Sequence, residues 1–137
     1  MKLRAIQLDN IRQFDAKSMR ISDLSDGLNV VAEPNEFGKS TVFDALHALF
    51  FARFGSASRE VRALQPARAL GAVRIMAEVE ADGRRFRIEK RFLSGRMARI
   101  TDLSPGGGVV AQDDGAEAWL SRLIGSAQEG PAGLLWV

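Results

Sequence analysis

The stretch Gly38-Lys39-Ser40-Thr41 combines residue types that bind phosphate groups and a divalent cation. A glycine lets the backbone approach a phosphate closely, the lysine ammonium neutralises phosphate charge, and the next hydroxyl group coordinates Mg²⁺. In loops of this kind, successive backbone N–H groups and the positive end of a helix dipole complete the anion-binding site. The spacing therefore predicts a phosphate-binding loop over residues 33–41, EPNEFGKST.

Glu33 stands where such loops normally begin with glycine. A residue with a Cβ has less backbone freedom than glycine. A carboxylate about 6 Å from a phosphate would cost on the order of 2–3 kcal/mol per interacting charge at an effective dielectric near 20. If the carboxylate points to solvent, screening removes most of that cost. The sequence leaves both directions of this side chain open.

The residues on either side of the loop have the patterns of the elements that must hold it. The apolar run LNVVA at 28–32 predicts a buried strand, and Ser40–Phe54 predicts a buried helix that Gly55 ends. Alternation of apolar and polar residues predicts two earlier strands, Lys2–Leu8 and Ser18–Leu24. An ordinary strand–turn–helix corner with an incidental Lys-Ser pair is the alternative to a phosphate-binding loop.

The second half of the chain predicts a connector, antiparallel strands and one helix. The connector is residues 56–71, and the elements after it are Ala72–Glu80, Arg84–Phe92, a strand around Met97–Leu103 and a helix over Ala116–Ile124. Asp82-Gly83 favours a tight hairpin turn between the first two strands. Asp113 or Asp114 is expected to cap the helix, and Gly125 to end it.

The bulk composition indicates one folded domain. The chain has 137 residues, 46% of them hydrophobic and 26% charged, with a net charge of +2 and no cysteine. The lack of cysteine excludes disulfides and thiolate metal sites. No N-terminal segment has the pattern of a signal peptide, and no apolar run reaches the roughly 18 residues that a membrane span needs. We therefore expect a cytoplasmic protein with no membrane partner.

Two longer stretches, LRAIQLDNIRQF and DGLNVVAEPNEFGKSTVFDALHALFFA, resemble the start of the ABC-type ATPase heads of the SMC, RecF, SbcC and YhaN group. The matching steps are Asn10-Ile11-Arg12, Pro34-Asn35-Glu36 in the loop and Asp44-Ala45 in the helix. The resemblance implies an α/β fold, a P-loop NTPase half-domain with a mixed sheet around the P-loop helix and an antiparallel β-hairpin layer. Glu33 and Phe37 depart from the residues usual in this group.

The resemblance also implies a division of the chain and a set of partners. Residues 1–137 would form the N-terminal lobe of the head: strands, P-loop and P-loop helix at 1–55, the connector at 56–71, antiparallel strands at 72–112, and a helix with a C-terminal segment at 113–137. The lobe would meet the C-terminal half of its own head, and the intact protein would form a dimer of heads. The abrupt apolar end GLLWV at 133–137 is interpreted as a truncation, with a docked C-terminal strand as the alternative.

The function implied is binding of ATP and Mg²⁺ within an ATPase of DNA repair or chromosome maintenance. The implied nucleotide-binding residues are Asn35, Glu36, Phe37, Gly38, Lys39, Ser40, Thr41 and, near the phosphates, Arg12, with Ser40 as the metal ligand. No catalytic residue is expected in this chain, because the acidic residues and the signature motif of such heads come from the C-terminal half. We expect weak nucleotide binding and no turnover by the chain alone.

A second candidate site is an arginine face on the second hairpin strand. Arg85, Arg87 and Arg91 alternate with apolar residues, so they share one face of that strand. Such a face can contact DNA phosphates without reading base sequence. The alternative is a solvated strand face whose acidic partners are Glu78, Glu80 and Glu89. A degenerate P-loop that serves as an interaction or DNA-binding scaffold, without nucleotide, is accordingly the second functional hypothesis.

Overall fold

The computed structural model describes residues 1–12, 18–22, 36–67 and 71–126. Its elements, in chain order, are β1 (Lys2–Asp9), β2 (Ser18–Ile21), α1 (Glu36–Phe51), α2 (Arg59–Arg62), β3 (Val73–Ala81), β4 (Arg84–Phe92), β5 (Met97–Asp102), β6 (Val109–Gln112) and α3 (Asp114–Ser126). The predicted strand at 28–32, Glu33 and the end segment 133–137 lie outside the described residues.

The six strands form one sheet in the order β2-β1-β3-β4-β5-β6. Every pairing between described strands is antiparallel. The mixed sheet implied by the resemblance is therefore not what the described residues form. From β3 to β6 the strands are neighbours both in sequence and in space, and the short connections between such neighbours produce antiparallel pairs.

The hairpin of β3 and β4 confirms its prediction from the sequence. Asp82 and Gly83 both have positive φ angles, 51° and 75°, as a two-residue turn that matches the strand twist requires. The strand β6, which follows the glycine-rich run 106–108, is not among the strands predicted from the sequence. In the structure this run makes a close turn: a Cβ on Gly107 would lie 2.4 Å from the Asp102 carbonyl oxygen.

The bounds of the helices differ from the predicted ones. α1 begins at Glu36 rather than Ser40 and ends at Phe51, before the predicted end at Phe54. The early end has a physical reason, since the carbonyl and amide groups beyond it bond elsewhere: the Ala52 carbonyl accepts from Lys90, and the Phe54 amide donates to Glu117. α3 runs to Ser126, so Gly125 does not end it.

The core lies between one face of the sheet and the helices α1 and α3. Side chains on the core face of β4 are Phe86, Ile88, Lys90 and Phe92, while α1 contributes fully or nearly buried residues such as Leu46, Leu49 and Phe50. From α3, Leu120 is buried, and the Trp119 ring meets the Phe86 ring edge-on with centroids 5.0 Å apart. The apolar sides of these elements meet here, and burying their surface is the main favourable contribution to folding.

Lys90 is the exception within this core, because it is a charged residue and yet its side chain is 0% exposed. Its ammonium group donates to the Ala52 carbonyl oxygen at 2.6 Å and to Glu117 Oε2 at 3.1 Å. The other Glu117 oxygen accepts from the Phe54 amide at 3.0 Å. Burial lowers the pKa of Lys90, and the nearby Glu117 carboxylate opposes that change. The pair joins β4, the end of α1 and α3.

The opposite face of the sheet, which we call the outer face, carries ion pairs. At its centre the Arg74 guanidinium contacts Asp9 Oδ2 and Glu89 Oε2, each at 2.8 Å. Asp9 also accepts hydrogen bonds from Ser18 and Gln7. Partial burial raises the pKa of Asp9, but the hydrogen bonds from Ser18, Arg74 and Gln7 outweigh it and leave this pKa below its ordinary value.

Replacing Glu117 by glutamine should destabilise the protein. The variant leaves the Lys90 ammonium buried without a counter-charge, and removing one partner of a buried ion pair costs about 3–5 kcal/mol. Because the glutamine oxygen can still accept from the Phe54 amide, we expect a loss of about 2–4 kcal/mol in the free energy of unfolding, measured by urea titration. Glu60→Gln removes an exposed carboxylate from α2 and should change that free energy by less than about 0.5 kcal/mol. Equal losses in the two variants would contradict the role assigned to the pair.

Asp9→Asn should remove part of the acid sensitivity of the fold. A carboxyl group whose pKa is lowered by folding adds stability above its unfolded pKa, here 3.8, and loses it as the pH falls through the folded value. The variant should therefore lose about 1–2 kcal/mol at pH 7, the size of a charged hydrogen bond. Its unfolding free energy should also fall less steeply than that of the parent below pH 4, measured by denaturant titrations at successive pH values. Parallel curves for the two proteins would refute this.

Candidate functional site

The later part of the predicted phosphate-binding loop lies in the first turns of α1. Residues 36–41 all belong to this helix, whose first four N–H groups have no intrahelical acceptor. These N–H groups lie at the positive end of the helix dipole, which favours an anion. The Ser40 side chain is exposed, whereas Thr41 is only 2% exposed. Asn35, and the side chains of residues 36–39, lie outside the described part of the chain.

Arg12 reaches this end of α1 from the end of β1. Its backbone φ is 48°, and its N–H donates to the Leu64 carbonyl at 3.0 Å. Its Nε donates to the Ala63 carbonyl at 2.9 Å, directly after α2. One terminal nitrogen, Nη1, lies 3.5 Å from Thr41 Oγ1 and 2.9 Å from Asp44 Oδ2. The structure thus brings together Arg12 and Thr41, the first and last members of the predicted nucleotide set.

The turn that carries Arg12 is fixed on its other side by Asn10. Asn10 also has a positive φ, 58°, and its Nδ2 donates to the Ala72 carbonyl at 3.1 Å. Gly71 has a φ of 84°, and a Cβ there would lie 3.5 Å from Asn10 Nδ2. The residues Asn10 to Arg12 therefore fasten the connector 56–71 to the end of β1 at its middle, through Ala63 and Leu64, and directly after its end, through Ala72.

The sequence did not predict that Asp44 contacts Arg12, although the structure places Asp44 in this site. The signal was present in the helical spacing, because residues three apart share a helix face, and Thr41 and Asp44 are three apart. Nothing in the sequence indicated that Arg12 would lie against that face.

No group of three or more histidine, aspartate or glutamate side chains within the described ranges could hold a metal ion. A Mg²⁺ ion at Ser40 would need most of its ligands from phosphate oxygens and water, which is how Mg²⁺ usually binds at nucleotide sites. The exposed Ser40 hydroxyl suits that arrangement.

The arginine face predicted on β4 lies on the outer face of the sheet. Arg85 and Arg91 are exposed, and Arg87 is half-buried. The Nε atom of Arg87 is buried and has no hydrogen-bond partner among the described residues. Arg99 of β5 is exposed on the same face. These side chains form a cationic surface beside the central ion pairs of Arg74.

The acidic side chains predicted as partners of these arginines bond mainly to other cations. Glu78 pairs with Arg20 at 2.7 Å, Glu80 with Arg4 at 2.9 Å, and Glu89 with Arg74 at 2.8 Å. Arg91 Nε lies 3.8 Å from Glu89, at the long limit of an ion pair. Within the described part of the chain, Arg85, Arg87 and Arg99 form no ion pair, although the pKa of Glu80, lowered mainly by its hydrogen bond from Arg4, is also lowered by the charge of Arg85 opposite it on β4.

None of the described helices is long and apolar enough to cross a membrane.

Comparison with known proteins places the chain in a family. A family model described as an AAA domain matches residues 1–125. Uncharacterized proteins of Mycobacterium bovis (Mb1309) and Mycobacterium tuberculosis strain H37Rv (Rv1278) are each 31% identical to the chain over 105 residues, which is 77% of the chain. The chain spans 12% of the length of these relatives. Because the family model covers nearly the whole chain, the chain belongs to the AAA domain family, which indicates an ATPase-type nucleotide-binding domain related to the P-loop NTPases.

Proposed function

We propose that the chain is the ATP- and Mg²⁺-binding N-terminal lobe of an ATPase head of the SMC or SbcC kind, with a role in DNA repair or chromosome maintenance. The observation that carries the proposal is the position of Arg12, whose guanidinium lies against α1 at Thr41, two residues after the motif lysine Lys39. A second cation beside this helix is what a triphosphate, with its several negative charges, would require.

The residues present fit this ligand. The N–H groups of the first turn of α1 would contact phosphate oxygens, together with Lys39, and the Ser40 hydroxyl would be the protein ligand of Mg²⁺. Arg12 Nη2 makes no hydrogen bond with a described residue, so its two N–H donors are available to an anion. Bound ATP would supply the phosphoryl group on which a complete head acts.

Hydrolysis would require groups beyond those in this chain. Phosphoryl transfer needs a residue that positions the attacking water and further positive charge around the γ-phosphate. In the proposal these come from the C-terminal half of the same head and from a second head in a dimer of heads. The curated relatives, of which the chain spans 12%, are long enough to hold such parts. We assign the protein to the cytoplasm.

Binding of ATP with Mg²⁺ should depend on Lys39. Removing its charge from the phosphates should weaken binding by about ten- to a hundredfold, which corresponds to about 1.4–2.8 kcal/mol, measured by isothermal titration calorimetry on the 137-residue chain. Arg122→Ala removes an exposed cation from α3, outside the proposed site, and should leave the affinity within about twofold, because salt screens exposed charges.

Glu33→Gly supplies the opposite variant, since it restores the usual first residue of the loop. Tighter binding in this variant would support the phosphate site, as removal of a carboxylate near the phosphates lowers repulsion. If ATP binds equally to the parent, to Lys39→Ala and to Arg122→Ala, the nucleotide site proposed here does not exist.

The second candidate function is DNA binding through the outer face, without a need for nucleotide. One observation favours it: Arg85, Arg87 and Arg99 form no ion pair with a described residue, although acidic side chains share their face. Lysine and arginine side chains that bind DNA phosphates release counterions, so affinity then falls with salt in proportion to the number of contacts.

The double variant Arg85→Ala/Arg87→Ala should weaken binding to duplex DNA irrespective of base sequence. Each lost phosphate contact should reduce the slope of log K against log salt by about 0.9, so the pair should reduce it by about 2. Fluorescence anisotropy of a labelled duplex at several salt concentrations measures the slope. Arg122→Ala is the control with a cation removed from α3. An unchanged slope in the double variant would exclude the face as a DNA-binding surface.

A further inference from the structure

We propose that Asp44 is a positioning residue, which holds the Arg12 guanidinium so that its Nη2 edge presents two N–H donors to a phosphate oxygen at the start of α1. The inference rests on the proposed nucleotide site and adds a residue to it. It is carried by the contacts of the Arg12 side chain, which use Nε and Nη1 of the guanidinium group.

The donors of Arg12 can be assigned one by one. A guanidinium has five N–H donors in a fixed plane. Nε donates to the Ala63 carbonyl at 2.9 Å, and Nη1 meets Thr41 Oγ1 at 3.5 Å and Asp44 Oδ2 at 2.9 Å. The hydrogen bonds to Ala63 and Thr41 account for two donors, and the Asp44 contact is an ion pair. Both donors on Nη2 remain, and no described residue accepts from them.

Asp44 supplies the contact that fixes the plane. The bond from Nε to Ala63 leaves the guanidinium the angular range that one hydrogen bond tolerates, and the 3.5 Å bond to Thr41 is at the distance limit of a hydrogen bond. The Asp44 carboxylate lies 2.9 Å from Nη1 as an ion pair, and its negative charge attracts that nitrogen toward this face of α1. With Nε and Nη1 both held, the direction of Nη2 follows from the planar geometry of the group.

The backbone also fixes the position from which the Arg12 side chain extends. Arg12 has a φ of 48°, and its own N–H is bound to the Leu64 carbonyl. Ile11, the residue before it, is fully buried. The base of the side chain is thus fixed by the fold, so the orientation of its end is the remaining variable, and Asp44 sets it. A side chain held in advance binds its ligand with less loss of conformational entropy.

Asp44 also has an opposing effect, because its own negative charge repels a polyanion. Its side chain is 52% exposed, so solvent weakens that repulsion. The two effects can be separated, since repulsion acts whether or not Arg12 is present, whereas positioning acts only through Arg12. A double-mutant cycle measures this difference directly.

The test is calorimetric titration of ATP-Mg²⁺ into four proteins: the 137-residue chain, Asp44→Asn, Arg12→Gln and the double variant. Arg12→Gln keeps a polar side chain that can reach the Ala63 carbonyl, and so spares the fold. We expect Asp44→Asn to weaken binding about three- to tenfold in the parent, the size of one oriented charged contact. In the Arg12→Gln background the same substitution should leave the affinity unchanged or slightly higher.

Two further variants separate positioning from stability and from general charge. Asp44→Glu keeps the carboxylate and should recover part of the lost affinity. Glu60→Gln removes an exposed acidic group of α2 that forms no ion pair with a described residue, and should leave the affinity within about twofold, because its charge is screened. Urea midpoints for all variants show that each is folded under the conditions of the titration.

The outcomes are distinct. If Lys39→Ala abolishes ATP binding but Asp44→Asn changes the affinity by the same factor with and without Arg12, the positioning role is refuted and the nucleotide site stands. If the Asp44→Asn variant binds ATP as tightly as the parent, the positioning role is likewise refuted and the nucleotide site stands. If the parent chain binds no ATP, or binds it independently of Lys39, the proposed function fails and this inference fails with it.

Discussion

Packing of α1 against one face of an antiparallel sheet is the constraint on which the other features depend. An apolar helix can be buried only if the strands beneath it turn their apolar side chains toward it, and a period of two then places every other residue on the opposite face. On β4 this separates Ile88 and Phe92, in the core, from Arg85, Arg87 and Arg91 on the outer face. The same contact surrounds Lys90 with protein, so its ammonium group needs the Glu117 carboxylate and the Ala52 carbonyl in place of water.

The strands were the most predictable part of the fold, because their signals are local. Alternation along Arg84–Phe92 and the Asp82-Gly83 turn were enough to predict the hairpin and its two faces. The ends of α1 were not predictable in this way. The sequence stays apolar to Phe54, and the helix ends earlier because Lys90 and Glu117, 36 or more residues further along the chain, bond to the groups at its end. Lys90 could have been found from the sequence, since it shares the alternation of Ile88 and Phe92.

The candidate site was predicted in its parts but not in its connections. Ser40 and Thr41 were found from the motif, and Arg12 only from the resemblance to a known group of ATPase heads. The contacts that place Arg12 join residues 29 to 52 positions apart, and no local pattern contains that information. Of the acidic partners named for the arginine face, Glu89 lies 3.8 Å from Arg91, whereas Glu78 and Glu80 bond to Arg20 and Arg4. Strand β1 lies between β2 and β3, and the Arg20 side chain of β2 reaches across β1 to pair with Glu78 of β3.

The burial of Lys90 has a consequence for how opening of the domain could be followed. Acylating reagents dissolved in water react with the neutral form of an amine, and they can reach it only if it meets the solvent. The lowered pKa of Lys90 raises the fraction of its amine that is neutral, but the packing of β4, α1 and α3 keeps that amine out of contact with solvent. The rate of acylation at Lys90 would therefore report how often α3 separates from the sheet, because the folded structure protects this amine until that separation occurs.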